Sequence, residues 1–189
     1  MKKMMIFALL SAFLFQVQGV KAQSPNVFFG VDFSLAKAYG IEESAGELVE
    51  AFDKINNLFI SEGSKYNPSK AFKSKDMKLT LAMVRDRIEN IDKKELIVDT
   101  NDYLLMRKDI EEQVKDYNTG DAEGVGAILI ADVLDKSQNK ASYHAVVFDI
   151  RTKKVISVKQ VSGKAKGFGL RNFWAGSMRS ALSQLAKSK

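Results

Sequence analysis

The sequence predicts an α/β protein in which a single mixed β-sheet is covered by helices. Segments with the two-residue periodicity of strands alternate with segments of helical periodicity along the first two thirds of the chain. Three strand-like segments then follow one another with short polar joints, a pattern typical of antiparallel pairing. A last segment again has helical periodicity. The predicted order is therefore three strand–helix units, a three-strand antiparallel meander and a closing helix.

Residues 1–22 predict a secretory signal peptide. Lys2 and Lys3 precede an apolar run at 4–15, and the predicted cleavage lies between Ala22 and Gln23. A membrane-spanning helix needs about 20 apolar residues, so this run is too short to be one. We therefore expect an exported protein, periplasmic or extracellular, with one α/β domain at 23–189 and no stable membrane span after cleavage.

The first strand–helix unit starts with a predicted strand at Val27–Ser34, because Phe29, Val31 and Phe33 share one face. Ser44-Ala45-Gly46-Glu47 has the spacing of a capping box, which satisfies free amide groups at a helix start. The apolar positions of the following helix are Leu48, Phe52, Ile55 and Phe59.

The middle of the chain is predicted as two further units. They comprise a loop at 65–75, a strand at Met77–Met83, a short helix at Val84–Ile91, a strand at Glu95–Val98 and a helix capped by Asn101 or Asp102. The apolar face of that last helix is Met106, Ile110, Val114 and Tyr117.

The region after residue 126 gives the clearest pattern. The three meander strands are predicted at Ala127–Lys136, Ala141–Ile150 and Val155–Ser162, with the second hairpin turning at 151–154. The closing helix is predicted at Asn172–Lys187. Its buried positions are Trp174, Met178, Ala181, Leu182 and Leu185.

Composition limits the possible chemistry. The chain has 189 residues, no cysteine and one histidine, His144. Disulfides, thiol nucleophiles, thiolate metal sites and a lipid-modified cysteine are therefore excluded, as are metal sites built from several histidines. The net charge is +6, and it falls to +3 when the three lysines of the signal are removed. Such a mild charge, without a basic stripe or motif, predicts no nucleic-acid partner.

One predicted polar row lies on a single face of the meander. The predicted register pairs Ile128 with Phe148 and Asp132 with His144, and it pairs His144 with Gln160 across the second hairpin. The row is either a small hydrogen-bonding site at the edge of the core or a set of solvated surface side chains. A register slip of one residue would remove it.

A glycine-rich segment at 163–174 is the first candidate for binding. Its glycines permit close backbone approach, its cations attract anions, and a helix start supplies free amide groups. The candidate binding residues are Lys166, Gly167, Gly169, Arg171, Asn172 and Trp174. In the alternative interpretation the glycines only turn the chain, and Phe168, Phe173 and Trp174 fill the core.

Paired carboxylates are a weaker possibility. Glycoside hydrolysis needs two acids about 5–10 Å apart, and Asp32, Asp132 and Asp149 lie on predicted strands. Nothing in their spacing requires that they meet.

Several segments resemble a family of small exported bacterial proteins of unknown function. They are residues 124–127, 143–149, 149–155 and 167–174. A strand ending in Asp149, followed by a Thr152 turn and a returning strand, is also similar to periplasmic domains of curli secretion channels and to the amino-terminal domain of the Tol-system propeller protein. That resemblance implies a non-catalytic assembly or interaction module. Lys153 stands where a turn glycine is common there, and the anchoring cysteine is missing.

The sequence thus favours an exported, non-catalytic binding or assembly module of the bacterial envelope. We expect no catalytic residue, metal or cofactor, and a partner that is an envelope protein or an anionic glycan. The alternative is a secreted, carboxylate-dependent hydrolase acting on glycans. A purely structural or oligomeric role is a third interpretation, and the sequence leaves the oligomeric state open.

Overall fold

A seven-stranded sheet forms the middle layer of the computed structural model, which describes residues 24–188. The strands are β1 (Val27–Asp32), β2 (Lys37–Tyr39), β3 (Lys78–Leu79), β4 (Ile97–Val98), β5 (Val125–Asp135), β6 (Lys140–Asp149) and β7 (Val155–Lys164). The helices are α1 (Ala45–Asn56), α2 (Leu58–Ser61), α3 (Pro68–Ala71), α4 (Ala82–Glu89), α5 (Lys93–Leu96), α6 (Arg107–Lys115) and α7 (Leu170–Lys187). The mixed α/β class and the closing helix are confirmed. The predicted signal peptide lies outside the described residues.

β5 organises the sheet because its 11 residues are long enough to pair with two strands along one side. β1 lies parallel to residues 126–130 of β5, and β2 lies parallel to residues 133–135, so that β1 and β2 follow each other along the same side. β3 and β4 extend β1 and β2 outward, also in parallel. On its other side β5 pairs antiparallel with β6, and β6 pairs antiparallel with β7.

The sheet separates two apolar layers, since successive side chains of a strand point to opposite faces. Leu129 and Ala131 of β5 face one layer, which α1, α2, α3, α5 and α7 cover together with Ile88 of α4. Ile128 and Ile130 face the other, which α4 and α6 cover. Both layers continue onto β1, where neighbouring phenylalanines at 28 and 29 belong to opposite layers.

The first helix starts as the sequence predicts. The Ser44 amide donates to the Glu47 carboxylate at 2.8 Å, and the Glu47 amide donates to the Ser44 hydroxyl at 3.3 Å, which confirms the capping box. Hydrogen bonds from Ser44 lower the pKa of Glu47. Phe59, predicted on the same helix, lies instead in α2 and remains buried.

The middle of the chain departs from the prediction in its short elements. The strand predicted at 77–83 is reduced to β3, and α4 takes over from Ala82 to bury Met83. The strand predicted at 95–98 starts two residues later, since Asp92 accepts a hydrogen bond from the Lys94 amide at 2.9 Å and caps α5. The three-residue strand β2 was not predicted.

The helix predicted to be capped by Asn101 or Asp102 begins later, at Arg107. The carboxylate of Asp109 accepts a hydrogen bond from the Met106 amide at 2.9 Å and thereby fixes the start of α6. Met106 is therefore exposed instead of lying on the apolar face. Ile110, Val114 and Tyr117 are buried as predicted.

The register of the first hairpin was predicted wrongly by two residues. Phe148 pairs with Gly126, and His144 pairs with Ile130, because a bulge between Ala131 and Leu134 interrupts the ladder. A shift of two residues leaves every side chain on its predicted face. In the second hairpin the pairing of His144 with Gln160 is confirmed.

Candidate functional site

The loop between β7 and α7, residues 165–169, is held firmly at its base. We call it the Phe168 loop. The Ala165 amide donates to the Asn139 carbonyl at 2.7 Å, and the Lys166 amide donates to the Phe173 carbonyl at 3.2 Å. Gly176 lets the backbone of α7 approach, since a Cβ built there would lie 2.2 Å from the Lys166 carbonyl oxygen.

At its tip this loop projects an aromatic ring into solvent. Phe168 is 96% exposed, the highest exposure of any large apolar side chain between residues 24 and 188. The flanking Gly167 and Gly169 have φ angles of +142° and +77°, which L-residues with side chains rarely adopt. The prediction that Phe168 fills the core is therefore wrong, because these two glycines turn the chain outward on both sides of the ring.

Basic residues flank Phe168 in the sequence. Lys164, Lys166 and Arg171 are all exposed, and residues 163–174 include no acid. The Arg171 guanidinium donates to the Asn172 side-chain oxygen at 2.8 Å, and the Asn172 amide group donates to the Phe168 carbonyl at 3.0 Å. Asn172 therefore connects the cation to the backbone that carries the ring.

Trp174 differs in position from the other predicted binding residues. Its side chain is fully buried, and its ring packs edge-to-face on Phe173 with 4.9 Å between the centroids. The Lys136 ammonium lies 4.1 Å from the centroid of the Phe173 ring on the outer side. Phe173 and Trp174 thus support the loop from below, whereas Lys166, Gly167, Gly169, Arg171 and Asn172 lie at its surface.

Sequence reasoning missed Phe168 as a surface residue. The available signal was an aromatic residue between two glycines with lysine and arginine on either side. A core aromatic normally lies inside a regular element, where its backbone is fixed and its neighbours on the same face are apolar.

The polar row on the other layer is assembled around Asp132. Its carboxylate accepts hydrogen bonds from the Leu105 amide and the Ser142 hydroxyl, both at 3.2 Å, and lies 3.5 Å from Nε2 of His144. Asp132 and His144 are buried, whereas Gln160 is exposed. A cavity of about 240 Å³ adjoins Asp132, Ser142 and Gln160. Asp132, His144 and Gln160 are thus neighbours as the sequence predicts, although the register of the first hairpin is shifted by two residues.

Asp32, the first of the other two candidate acids, is fully buried. It accepts hydrogen bonds from Arg87 at 3.1 Å, Gln113 at 2.9 Å and the Tyr117 hydroxyl at 2.9 Å. Burial, and then the charge of Asp32, raises the pKa of Tyr117 well above its ordinary value. A carboxylate enclosed in this way holds the first strand to α4 and α6 and does not reach a substrate.

Asp149 stabilises the turn between β6 and β7. It accepts from both the amide and the hydroxyl of Thr152 at 2.7 Å, and these bonds lower its pKa. It pairs with Val125, seven positions from Asp132 along β5, which corresponds to roughly 24 Å of strand. Glycosidase carboxylates lie within about 10 Å of each other, so these two acids do not form such a pair.

Within residues 24–188, no group of three or more histidine, aspartate or glutamate side chains is placed to hold a metal ion. Across the same part of the chain, no helix has the length and apolar character needed to cross a membrane. Comparisons of the chain with protein-family models, with curated proteins and with solved structures each find no match.

Proposed function

We propose that the protein is an exported, non-catalytic binding module that docks a partner through the Phe168 loop. The single observation that carries this proposal is the fully exposed phenylalanine on a loop with a fixed base. Single exposed apolar side chains are common on protein surfaces, so the support comes from the combination of the exposed ring, the fixed loop base and the neighbouring cations. Burying the ring in a complementary pocket would contribute roughly 2–3 kcal/mol to binding.

The charges around the ring specify what the partner presents. The exposed cations Lys164, Lys166 and Arg171 favour a pocket with an acidic rim, and Glu62 of the same chain offsets part of the Arg171 charge. Lys166 and Arg171 lie on either side of the phenylalanine, so they would contact rim carboxylates while the ring enters an apolar centre. Arg171 already acts on one carboxylate of its own chain, since its charge, after the hydrogen bond and charge of Lys65, lowers the pKa of Glu62.

The fixed loop base favours binding over catalysis. A preformed anchor loses little conformational entropy on association, because the backbone hydrogen bonds of Ala165 and Lys166 already order the loop. The three strand acids considered for hydrolysis are occupied by donors of the protein itself.

A photo-crosslinking experiment tests this proposal in intact cells. A benzophenone amino acid is introduced at Phe168 and, as the matched control, at Met106, which is 58% exposed on the other layer. We expect one dominant adduct from position 168 and none from position 106. Replacing Lys166 and Arg171 together by glutamate is expected to lower the adduct yield about tenfold without changing the Tm.

Specific outcomes would contradict docking through the Phe168 loop or export of the chain. Equal labelling from positions 106 and 168, or labelling from 168 that survives the double charge reversal, would contradict docking through this loop. Recovery of the chain from the cytosol with residues 1–22 still attached would contradict export.

A further inference from the structure

A large cavity lies at the opposite end of the sheet from the Phe168 loop. Its volume is about 820 Å³, and it is enclosed by the start of β1, by β3, by α4 and by residues 118–123. We call it the β1–β3 cleft. The Asn26 side chain holds its wall in place by donating to the Glu123 carbonyl at 3.0 Å and accepting from the Val125 amide at 2.7 Å.

The β1–β3 cleft is lined by both polar and apolar groups, and its rim is acidic. Phe29, Leu79 and Met83 contribute apolar side chains, and Leu79 is 37% exposed. The charged lining residues are Asp86, Asp121, Glu123 and Lys78, and all four are exposed. Three acids and one base give the rim a net charge of −2. No ion pair among residues 24–188 engages any of these four side chains.

The two surfaces complement each other in charge and in shape. One carries a protruding phenylalanine with three cations, and the other is a concave site whose rim has three carboxylates and one lysine and whose lining includes the partly exposed Leu79. A volume of 820 Å³ lies in the range of cavities that enclose drug-sized groups, so it accommodates one phenylalanine ring and the adjoining backbone.

The same chain cannot join its own loop to its own cleft. The Phe168 loop is tied to Asn139, just beyond the end of β5, while the cleft wall is tied to Val125 at the start of β5. The 11 residues of β5 separate these two anchors by roughly 35 Å.

We propose that the Phe168 loop of one copy enters the β1–β3 cleft of a second copy. This inference rests on the proposed function, because it names the partner of the same loop. The two contacting surfaces are different, so the contact is heterologous and leaves one loop and one cleft open after each addition. Copies therefore add head to tail into open chains, or into rings where the rotation between copies closes. Lys166 and Arg171 lie against Asp86 and Glu123 of the receiving copy.

Sedimentation velocity of the purified chain tests this inference. The parent chain is expected to show mass that increases with concentration and decreases with ionic strength. Phe168→Ala, which removes the ring, and the double variant Asp86→Lys with Glu123→Lys, which reverses the rim, are each expected to remain monomeric. Met106→Ala, the matched control, is expected to behave as the parent does.

Mixing the two defective variants gives the most specific result. The Phe168→Ala copy keeps its cleft, and the rim variant keeps its loop, so one contact can form. An equimolar mixture is therefore expected to yield a 1:1 dimer and no larger species. A mixture that stays monomeric, or one that forms long chains, would overturn the head-to-tail contact.

Failure of this inference is distinguishable from failure of the proposed function. A parent chain that remains monomeric while position 168 crosslinks to a different protein refutes self-assembly and leaves docking through the loop intact. Flotation of the parent, but not of Phe168→Ala, with phosphatidylglycerol vesicles would overturn self-assembly in favour of a lipid surface.

Discussion

Phe168 and Trp174 show how six residues of sequence separate a surface anchor from a core anchor. Both are large aromatic side chains, yet one is 96% exposed and the other is fully buried. The difference comes from the backbone, since the glycines around Phe168 have positive φ angles and Trp174 lies in the second turn of α7. Hydrophobicity alone does not distinguish the two positions.

The first prediction compares alanine substitutions at these two positions. Trp174→Ala is expected to lower the free energy of unfolding by about 3–5 kcal/mol, because it leaves a cavity beneath the sheet. Phe168→Ala is expected to change it by no more than about 0.5 kcal/mol, since the ring has no buried contacts to lose. Urea unfolding followed by far-UV circular dichroism measures both. Comparable losses in the two variants would show that the ring packs onto the protein.

At the scale of elements, α7 carries the most demanding contact of the fold. Gly163 on β7 faces the middle of this helix, and a Cβ built there would lie 1.8 Å from the Ser177 carbonyl oxygen. The Ser177 carbonyl oxygen belongs to the helix backbone and not to a flexible side chain, so a Cβ at position 163 would require α7 itself to move. The bare backbone of β7 thus sets the distance between the sheet and the closing helix.

A second prediction follows from this close approach. Gly163→Ala is expected to lower the free energy of unfolding by roughly 3 kcal/mol, because it overpacks the interface between α7 and β7. Gly46→Ala is the matched control, since its new methyl group has 3.8 Å of space and lies in α1. There we expect a small gain from the better helix propensity of alanine. Thermal unfolding of both variants measures the difference, and equal Tm values would contradict the packing argument.

Helices and strands were predicted correctly where their apolar periodicity extends over many residues. The long elements β6, β7 and α7 have several turns or alternations, so periodicity located each to within two residues at either end. β2, β3 and β4 have two or three residues, which is too short for any period. β3 is positioned by pairing with β1, β2 by pairing with β5, and β4 by pairing with β2, and such long-range contacts leave no local pattern.

Some features of the candidate site could be predicted from the sequence, and others could not. The glycines and cations of the loop were visible as a cluster, and the structure places Lys166, Gly167, Gly169 and Arg171 together at the surface. The buried position of Trp174 and the exposed position of Phe168 depend on φ angles at glycine, which admit both signs. The acidic β1–β3 cleft combines residues from distant parts of the chain, so sequence spacing did not indicate it.

For the molecule as a whole, deprotonation of one buried tyrosine in each apolar layer is expected to lower the stability at high pH. Each layer contains a buried tyrosine hydroxyl: Tyr117 donates to Asp32 in one, and Tyr143 lies 2.7 Å from the Ser177 hydroxyl in the other. Burial raises the pKa of both tyrosines above the ordinary value of 10.0. In Tyr117 the neighbouring Asp32 charge adds to the effect of burial.

The sign of the resulting pH dependence follows from proton binding. Below a pH of about 10 the folded and the unfolded chain both keep these protons, so their contribution to stability is fully present. Above that pH the unfolded chain releases them while the folded chain retains them. The unfolded state then binds fewer protons, and stability falls as pH rises, by up to about 1.4 kcal/mol per pH unit for each tyrosine.

The last prediction is that this alkaline loss belongs to the two buried tyrosines. Urea unfolding of the parent is expected to show a free energy that falls steeply above pH 10, with Tyr117→Phe and Tyr143→Phe each removing about half of the tyrosine-dependent slope. The double variant is expected to be less stable than the parent at pH 8 because Asp32 and Ser177 each lose a partner, and yet to depend less on pH above 10. A double variant whose stability falls as steeply as that of the parent would place the alkaline sensitivity in other groups, among them Tyr103, whose pKa burial also raises.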